Sequence, residues 1–314
     1  MTSPSDAPVL IVGGRGFVGS AAVRGLLAEG RPVAVFGPAS PVPLPDGARE
    51  IVGSIERPDE IAAALAATGA RQVVSFAAFS AGAVGLARSG DGDPEGAFAV
   101  NVLGFRRLLE ACAEAGVRRV VWTSSTVVFG AAEDPESRVA EDAPRRPVQV
   151  YGLTKVLAED VARWFGRVRG LETVALRIPL MIGPGLWYDG AAAVLKRMIA
   201  AAARGEDFAA EVPAGRFDAM HVDDLARLIG RTLDAPKGLA DTYNLAGYTT
   251  SYGEIAATLA AIVPGWQAPL TEVPPAVFYP LQDQRRIEAD IGLDLAHDLR
   301  STLADMLNER TPTP

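Results

Sequence analysis

The chain has 314 residues, 49% apolar and 22% charged, and its 38 acidic against 30 basic side chains give a formal charge of −8; this excludes a disordered chain, and an acidic surface that repels phosphate makes nucleic acid an unexpected partner. No apolar run reaches the roughly 18–20 residues of a membrane helix, so no membrane partner is expected. The opening MTSPSDAPVLIV lacks a basic segment ahead of an apolar signal core, and the single Cys112 forms no internal disulfide, so a reducing, cytoplasmic setting is expected and, with only His221 and His297 beside it, a zinc site is not.

In chain order, residues 9–12 read as a strand, 16–29 as a helix, 32–36 as a second strand and 50–52 as a short third. A helix over 57–68 precedes a strand over 72–76. A long helix over 93–115 leads to a strand over 118–123, and a second long helix over 148–169 leads to a strand over 173–178. This alternation predicts an α/β fold with a doubly wound parallel sheet and helices on both faces. The strands are continuously apolar, as strands buried on both faces must be. Residues 38–45, with four prolines, read as a stiff loop. Beyond 180 the pattern changes: helices are expected over 191–203, 222–233, 252–262 and 295–309, with a strand over 242–245. The tail after Arg310 is expected to fray. The chain divides into residues 1–180, with a return segment at about 217–246, and a smaller C-terminal lobe of residues 181–216 and 247–314.

The first strand runs into GGRGFVG at 13–19. Gly13 permits a tight turn, Gly16 clears room for a pyrophosphate, and Gly19 lets the helix pack closely; the helix start at Phe17 and Val18 offers free N–H groups to an anion. The spacing is Gly-x-x-Gly-x-x-Gly, and the second strand ends in Val35-Phe36-Gly37-Pro38 without the acid that usually holds the adenosine ribose. That removes a charge that would repel a 2'-phosphate, and Arg15 is placed either to pair with one or to stand solvated. NAD and NADP both remain open, with a lean to NADP.

The fifth strand ends in Thr123-Ser124-Ser125-Thr126, where ligands of such sheets bind. Tyr151 and Lys155 share one face of the following helix. A nearby ammonium is expected to lower the phenol's pKa, so that Tyr151 exchanges a proton with a substrate hydroxyl that Ser125 also contacts.

Taken together, GGRGFVG, NVLG at 101–104, TSSTVVFG at 123–130, YGLTK at 151–155 with Glu159, LRIP at 176–179, GPG at 183–185, HVDDLA at 221–226 and YNL at 243–245 resemble the extended short-chain dehydrogenase/reductases, and within them the NAD-dependent epimerase/dehydratase family. The resemblance implies a Rossmann cofactor lobe, a substrate lobe, Tyr151 as acid/base, Lys155 as partner of the ribose and the phenol, and Ser125, rather than Ser124, as the hydroxyl that orients substrate. It adds Ala77, Ala78, Asn101, Thr123 and Pro179 to the cofactor contacts, with Asn101 bracing the sheet edge beside the nicotinamide. Thr126, Trp187 with its neighbour Tyr188, and Arg216 join Ser125 on the substrate side, with a salt bridge as the plainer role for Arg216. His221 with Asp223 and Asp224 reads as a buried turn and helix cap, and no metal is expected. Relatives pair through the two long helices, so a homodimer is expected.

The departures narrow the substrate. Thr126 and Val127 stand where dehydratases of the family carry an acidic pair, and Pro179 stands where many nucleotide-sugar enzymes carry asparagine. The expected activity is therefore an NAD(P)-dependent sugar epimerase or oxidoreductase. Turnover of a small non-nucleotide hydroxy or keto compound, of the sugar-acid type, is the alternative, and dinucleotide sensing or scaffolding without chemistry is the non-enzyme alternative.

Overall fold

A computed structural model describes residues 7–309 except Glu133 and Pro135, so the expected fraying beyond Arg310 lies outside the described residues. The elements are β1 (Val9–Val12), α1 (Phe17–Ala28), β2 (Val33–Gly37), β3 (Ala48–Val52), α2 (Pro58–Thr68), β4 (Gln72–Ser75), α3 (Leu86–Gly92), α4 (Pro94–Phe98), α5 (Phe105–Glu114), β5 (Arg119–Ser125), β6 (Arg138–Val139), α6 (Val150–Arg169) and β7 (Glu172–Ile178). After these come β8 (Leu180–Ile182), α7 (Ala193–Arg204), β9 (Ala210–Pro213), β10 (Phe217–His221), α8 (Val222–Asp234), β11 (Thr242–Asn244), β12 (Tyr248–Thr250), α9 (Tyr252–Ile262), β13 (Leu270–Val273), β14 (Leu281–Gln282), α10 (Arg285–Asp290) and α11 (Leu299–Asn308).

Seven strands form one parallel sheet in the order β11-β7-β5-β4-β1-β2-β3. Strand order reverses between β1 and β4, which opens a crevice at the carboxyl ends of the strands. Two apolar layers cover the sheet. One carries Ile11, Val35, Val74 and Val121 against α1 and α8; the other carries Leu10, Phe36, Val73 and Val120 against α2, α5 and α6. Alternate strand residues thus serve opposite faces, which is why the strands read as uninterrupted apolar runs. The Rossmann-like α/β architecture expected from the sequence is the one observed. Among the described residues no helix is long and apolar enough to cross a membrane.

The long helix expected over 93–115 differs. Asp93 caps α4 by accepting the Gly96 N–H, and residues 99–104 then form a π turn before α5. A π turn adds a residue within a helix and re-aims the side chains beyond it; here it turns Asn101 inward. The last helix starts at Leu299, capped by Asp298 and Ser301, so residues 295–297 precede it. Beyond β7 six short strands escaped the sequence reading. Residues 217–221, expected to return to the main sheet, instead pair with β8 and β12 in a separate three-stranded sheet, while β11 does join β7. Two- to five-residue strands carry too few residues to show a period.

The glycine loop shows its reasons. Gly13 adopts a φ of +79°, and a Cβ on Gly19 would lie 2.3 Å from the Gly13 carbonyl oxygen. Gly19→Ala must therefore push α1 off the loop. We expect it to cost about 1–3 kcal/mol of stability, the range for overpacking, read as a lower urea midpoint, together with lost dinucleotide binding by calorimetry.

Candidate active site

The loop between β1 and α1 lies at the switch point. A Cβ on Gly16 would meet nothing closer than the Gly13 oxygen at 3.6 Å, and Gly16 has ordinary extended angles. The fold therefore does not demand glycine there, and the space it leaves faces outward at the start of α1. No side chain caps that helix, so its first-turn N–H groups are left for an anion. Phe17 packs into the core beside them. Arg15 is not free: its guanidinium pairs with Glu50 on β3 and donates to the Val42 carbonyl. Ala77 follows β4 and lies against Gly13, whose Cβ would approach the Ala77 nitrogen to 3.1 Å.

Asn101 ties the crevice to α6. Its Oδ1 accepts the Phe79 N–H at 2.7 Å and its Nδ2 donates to Thr154 Oγ1 at 3.0 Å, while that hydroxyl donates to the Tyr151 carbonyl at 2.7 Å. Asn101 thus braces the loop after β4 against the helix of Tyr151, a role different from the expected support of the sheet edge. The start of α6 is seated by small residues. A Cβ on Gly152 would come within 2.9 Å of the Val127 oxygen, and one on Gly90 within 3.2 Å of the Tyr151 nitrogen.

The hydroxyls at the end of β5 divide. Ser124 is buried and donates to Glu159 Oε1 at 2.7 Å. Ser125 faces the Tyr151 phenol and caps the short turn of residues 126–128, begun by half-buried Thr126. Lys155 is buried and donates from Nζ to the Thr123 carbonyl at 2.7 Å, with Nζ 5.6 Å from the Tyr151 ring centroid. Burial pushes the Tyr151 phenol well above its ordinary value, the nearby Tyr188 phenol pushes the same way, and only the Ser125 hydrogen bond opposes them. Burial also lowers the Lys155 ammonium to about 8, against the pull of Glu159. The expectation that Lys155 holds the phenol's pKa down is therefore not met in the ligand-free protein. Desolvation pushes each group toward its neutral form, and Lys155 turns one of its N–H donors to the Thr123 carbonyl rather than to the phenol.

Behind this row lies an ion pair that the sequence did not reveal. Arg177 on β7 donates from Nε and Nη2 to the two Glu159 oxygens, each at 2.8 Å, and both side chains are fully buried. Arg177 Nη1 also donates to the Glu141 carbonyl at 3.0 Å and Asn244 Oδ1 at 3.3 Å. Burial alone would raise the Glu159 carboxyl, but Arg177 and Ser124 hold it below its ordinary value. Only the presence of Glu159 and Arg177 in the family-like motifs hinted at the pair.

Pro179, expected among the cofactor contacts, is buried just after β7. On the expected substrate side, Trp187 is 50% exposed, while its neighbour Tyr188 packs edge-on to Phe17 with ring centroids 6.0 Å apart. Arg216 is half-exposed and spreads between Glu136 and Glu254, each 3.9 Å away, as in its plainer salt-bridge role.

The NAD dependent epimerase/dehydratase family model matches residues 9–246. A UDP-glucose 4-epimerase of Lactobacillus helveticus is 32% identical over 177 residues, 54% of this chain and 50% of the relative. A uronate dehydrogenase of Pseudomonas putida is 40% identical over 78 residues, 25% of this chain and 29% of the relative. The chain thus spans about half the length, or less, of these curated relatives. A solved L-threonine dehydrogenase from Cupriavidus necator, in its holo form, superposes with a TM-score of 0.84 at 25% identity, covering 96% of this chain and 98% of the other.

Glu159→Gln should cost about 3–5 kcal/mol, the scale for breaking a buried pair, whereas Ser124→Ala, which spares the pair, should cost far less; equal losses in chemical denaturation would contradict the pair's weight. Lys155 loses its proton at about 8 in the folded protein, against an ordinary value of 10.5. Between these values the unfolded chain holds the extra proton, so folding stability should rise with pH there. The stability difference between wild type and Lys155→Met should shift in favour of wild type over that window.

Proposed function

Since this chain belongs to the NAD dependent epimerase/dehydratase family, we propose that it binds a nicotinamide dinucleotide across the β1–β4 crevice and interconverts a secondary alcohol and a carbonyl. The supporting observation is the convergence of Tyr151, Ser125 and Lys155 at the carboxyl end of β5, beside the open N-terminus of α1. The glycine loop fits a pyrophosphate, because Gly16 leaves a space that the fold itself does not require. Gly13, Gly16, Phe17, Val18 and Gly19 would hold the phosphates, and Ala77, Ala78, Asn101, Thr123 and Pro179 would border the nicotinamide side. When bound, the dinucleotide supplies the hydride acceptor or donor.

The chain's own residues handle the proton. Ser125 fixes the substrate oxygen, and the Tyr151 phenol gives that oxygen a proton in reduction and takes one from it in oxidation. The ligand-free phenol is held protonated by burial, which suits the donor role. The base role requires Lys155 to turn from the Thr123 carbonyl toward the phenol and a bound ribose, bringing its positive charge to bear on the phenolate. Residues 181–216 and 247–309 would supply the substrate wall, with Trp187 and Tyr188 among them and Thr126 bordering it from the turn after β5.

The similar proteins are an epimerase of a nucleotide sugar and dehydrogenases of a sugar acid and of threonine. The epimerase and the uronate dehydrogenase support a hydroxylated sugar-like substrate, and Pro179, at the position where many nucleotide-sugar enzymes carry asparagine, favours a small sugar acid over a nucleotide sugar. Arg15, already paired with Glu50, supports NAD as the working cofactor. Exposed Leu103, Leu153, Trp164 and Val168 on the π turn and α6 support pairing of two copies through α5 and α6.

Tyr151→Phe should leave dinucleotide binding within error by calorimetry and reduce turnover by about 10²–10⁴-fold, the range for general acid–base catalysis. The assay follows nicotinamide absorbance over sugar acids, free sugars and nucleotide sugars, with product analysis for redox-silent epimerisation. Undiminished turnover in the variant would overturn the assignment of Tyr151.

A further inference from the structure

Lys155 is a buried cation short of acceptors. Its ammonium has three N–H donors, and among the described residues it makes one hydrogen bond, to the Thr123 carbonyl at 2.7 Å. Glu159, one turn further along α6, is not a direct partner. Its two oxygens are taken by Arg177 from β7, by Ser124 and by Arg145, with Arg163 3.6 Å away. What flanks the ammonium is aromatic. Lys155 Nζ stands over the Tyr151 ring, 5.6 Å from its centroid, and over the Trp122 ring at 5.7 Å. Trp122 precedes Thr123 on β5, so adjacent strand residues present a ring and a carbonyl to one ammonium.

We propose that Trp122 is a positioning residue for the proton exchange at Tyr151: its indole face holds the Lys155 ammonium in the charged form beside the Thr123 carbonyl. The role rests on the assignment of Tyr151 as acid/base. A cation within about 6 Å of a ring centroid is attracted by the negative face of the ring, most strongly for indole and most where water is excluded. Both partners meet that condition, with Lys155 4% and Trp122 2% exposed. The choice of tryptophan is informative. Its Nε1–H is buried without a hydrogen-bond partner among the described residues, a penalty that phenylalanine would avoid. Packing against Phe105 of α5, with ring centroids 4.6 Å apart, is open to either residue. What indole adds is the stronger pull of its face on a cation. In the sequence Trp122 reads only as one more apolar residue of a buried strand.

The consequence is chemical. Burial lowers the ammonium to about 8, and a further fall would leave a neutral amine near neutral pH, with no charge to bring to a phenolate. The ring face opposes that fall. It carries no net charge and takes no proton, so it keeps Lys155 charged without tying it to an anion. A carboxylate in the same place would hold the charge more firmly and would hold the side chain with it. Lys155 is thus charged yet able to leave the Thr123 carbonyl, as the base role of Tyr151 requires.

The test is an NMR titration of the tag-free, dinucleotide-free full chain labelled with carbon-13 at lysine Cε. Lys155, Lys196 and Lys237 are its only lysines, and Lys155→Met assigns the resonance. In wild type the Lys155 Hε protons should lie upfield of those of the other two, shifted by the ring currents, and Cε should titrate near 8. In Trp122→Leu that midpoint should fall by about one pH unit, the size of a desolvated cation–π contact. In Trp122→Phe, which keeps a ring, it should fall by less. The lysine-dependent limb of the kcat/KM pH profile should move with it. A midpoint unchanged in Trp122→Leu, or raised toward the ordinary 10.5 as water enters the vacated space, overturns the proposal. So do wild-type Lys155 Hε protons that resonate with those of Lys196 and Lys237, a result that needs no variant to fold. A midpoint that falls while the pH profile stays fixed overturns the role in proton exchange. The titration reads the free protein, so its outcome is separate from dinucleotide binding and from the turnover test of Tyr151→Phe.

Discussion

The placement of Tyr151 and Lys155 depends on one buried ion pair. Charges removed from water cost several kcal/mol each unless they are matched and hydrogen-bonded, and Glu159 and Arg177 meet that condition with two parallel contacts. The pair joins α6 to β7, draws in Ser124 from β5, and reaches Asn244 on β11. Because Glu159 stands one turn beyond Lys155 and two beyond Tyr151 on the same helix face, fixing Glu159 fixes the rotation of α6. With α6 turned otherwise, Lys155 could not reach the Thr123 carbonyl. The commitment of Ser124 to Glu159 also leaves Ser125 as the hydroxyl free to face the phenol.

The same burial that gives precision works against ionisation. In a solvated setting a lysine four residues from a tyrosine would favour phenolate. Here water is excluded from both, and exclusion disfavours each charged form: the phenol rises and the ammonium falls. The resting site thus holds a neutral phenol beside a lysine poised near neutrality. Such a site keeps its proton on the phenol, and the phenol becomes a base only when new charge or hydrogen bonding enters the crevice. Asn101, by clamping the Phe79 loop to Thr154, keeps that crevice formed before any ligand arrives.

The legibility of each feature in the sequence depends on the range of the interaction behind it. The parallel sheet was readable because its strands are short apolar runs separated by helices, a local pattern. The glycine loop was readable because tight turns and close approach restrict residue type at fixed spacing. Tyr151 and Lys155 share a helix turn, so their juxtaposition was visible too. The Glu159–Arg177 pair joins positions 18 apart in the chain through a strand–helix packing that no short window contains. The π turn at residues 99–104 leaves the helical composition unchanged and shifts only the phase, so the stretch read as one helix. Trp187 and Tyr188 were both readable as candidate wall residues, but two adjacent aromatics give no sign of which turns inward. Arg15 looked free because Glu50 reaches it from β3, two strands away from β1 in the sheet.

These limits bear unequally on the two sides of the candidate site. The cofactor side is built from consecutive strand ends, so its residues occur at predictable points along the chain. The other side, which we propose receives substrate, centres on the loop after β8, held by contacts such as Gly185 with Glu309 and Gly85 against Gly190. Each of these contacts spans a long stretch of sequence and uses backbone atoms or small residues whose identity is permissive. A fold of this kind can therefore keep its redox chemistry constant while its substrate wall changes through substitutions that leave no local signature. A substrate preference set in this way is encoded in long-range packing and not in any short stretch of sequence.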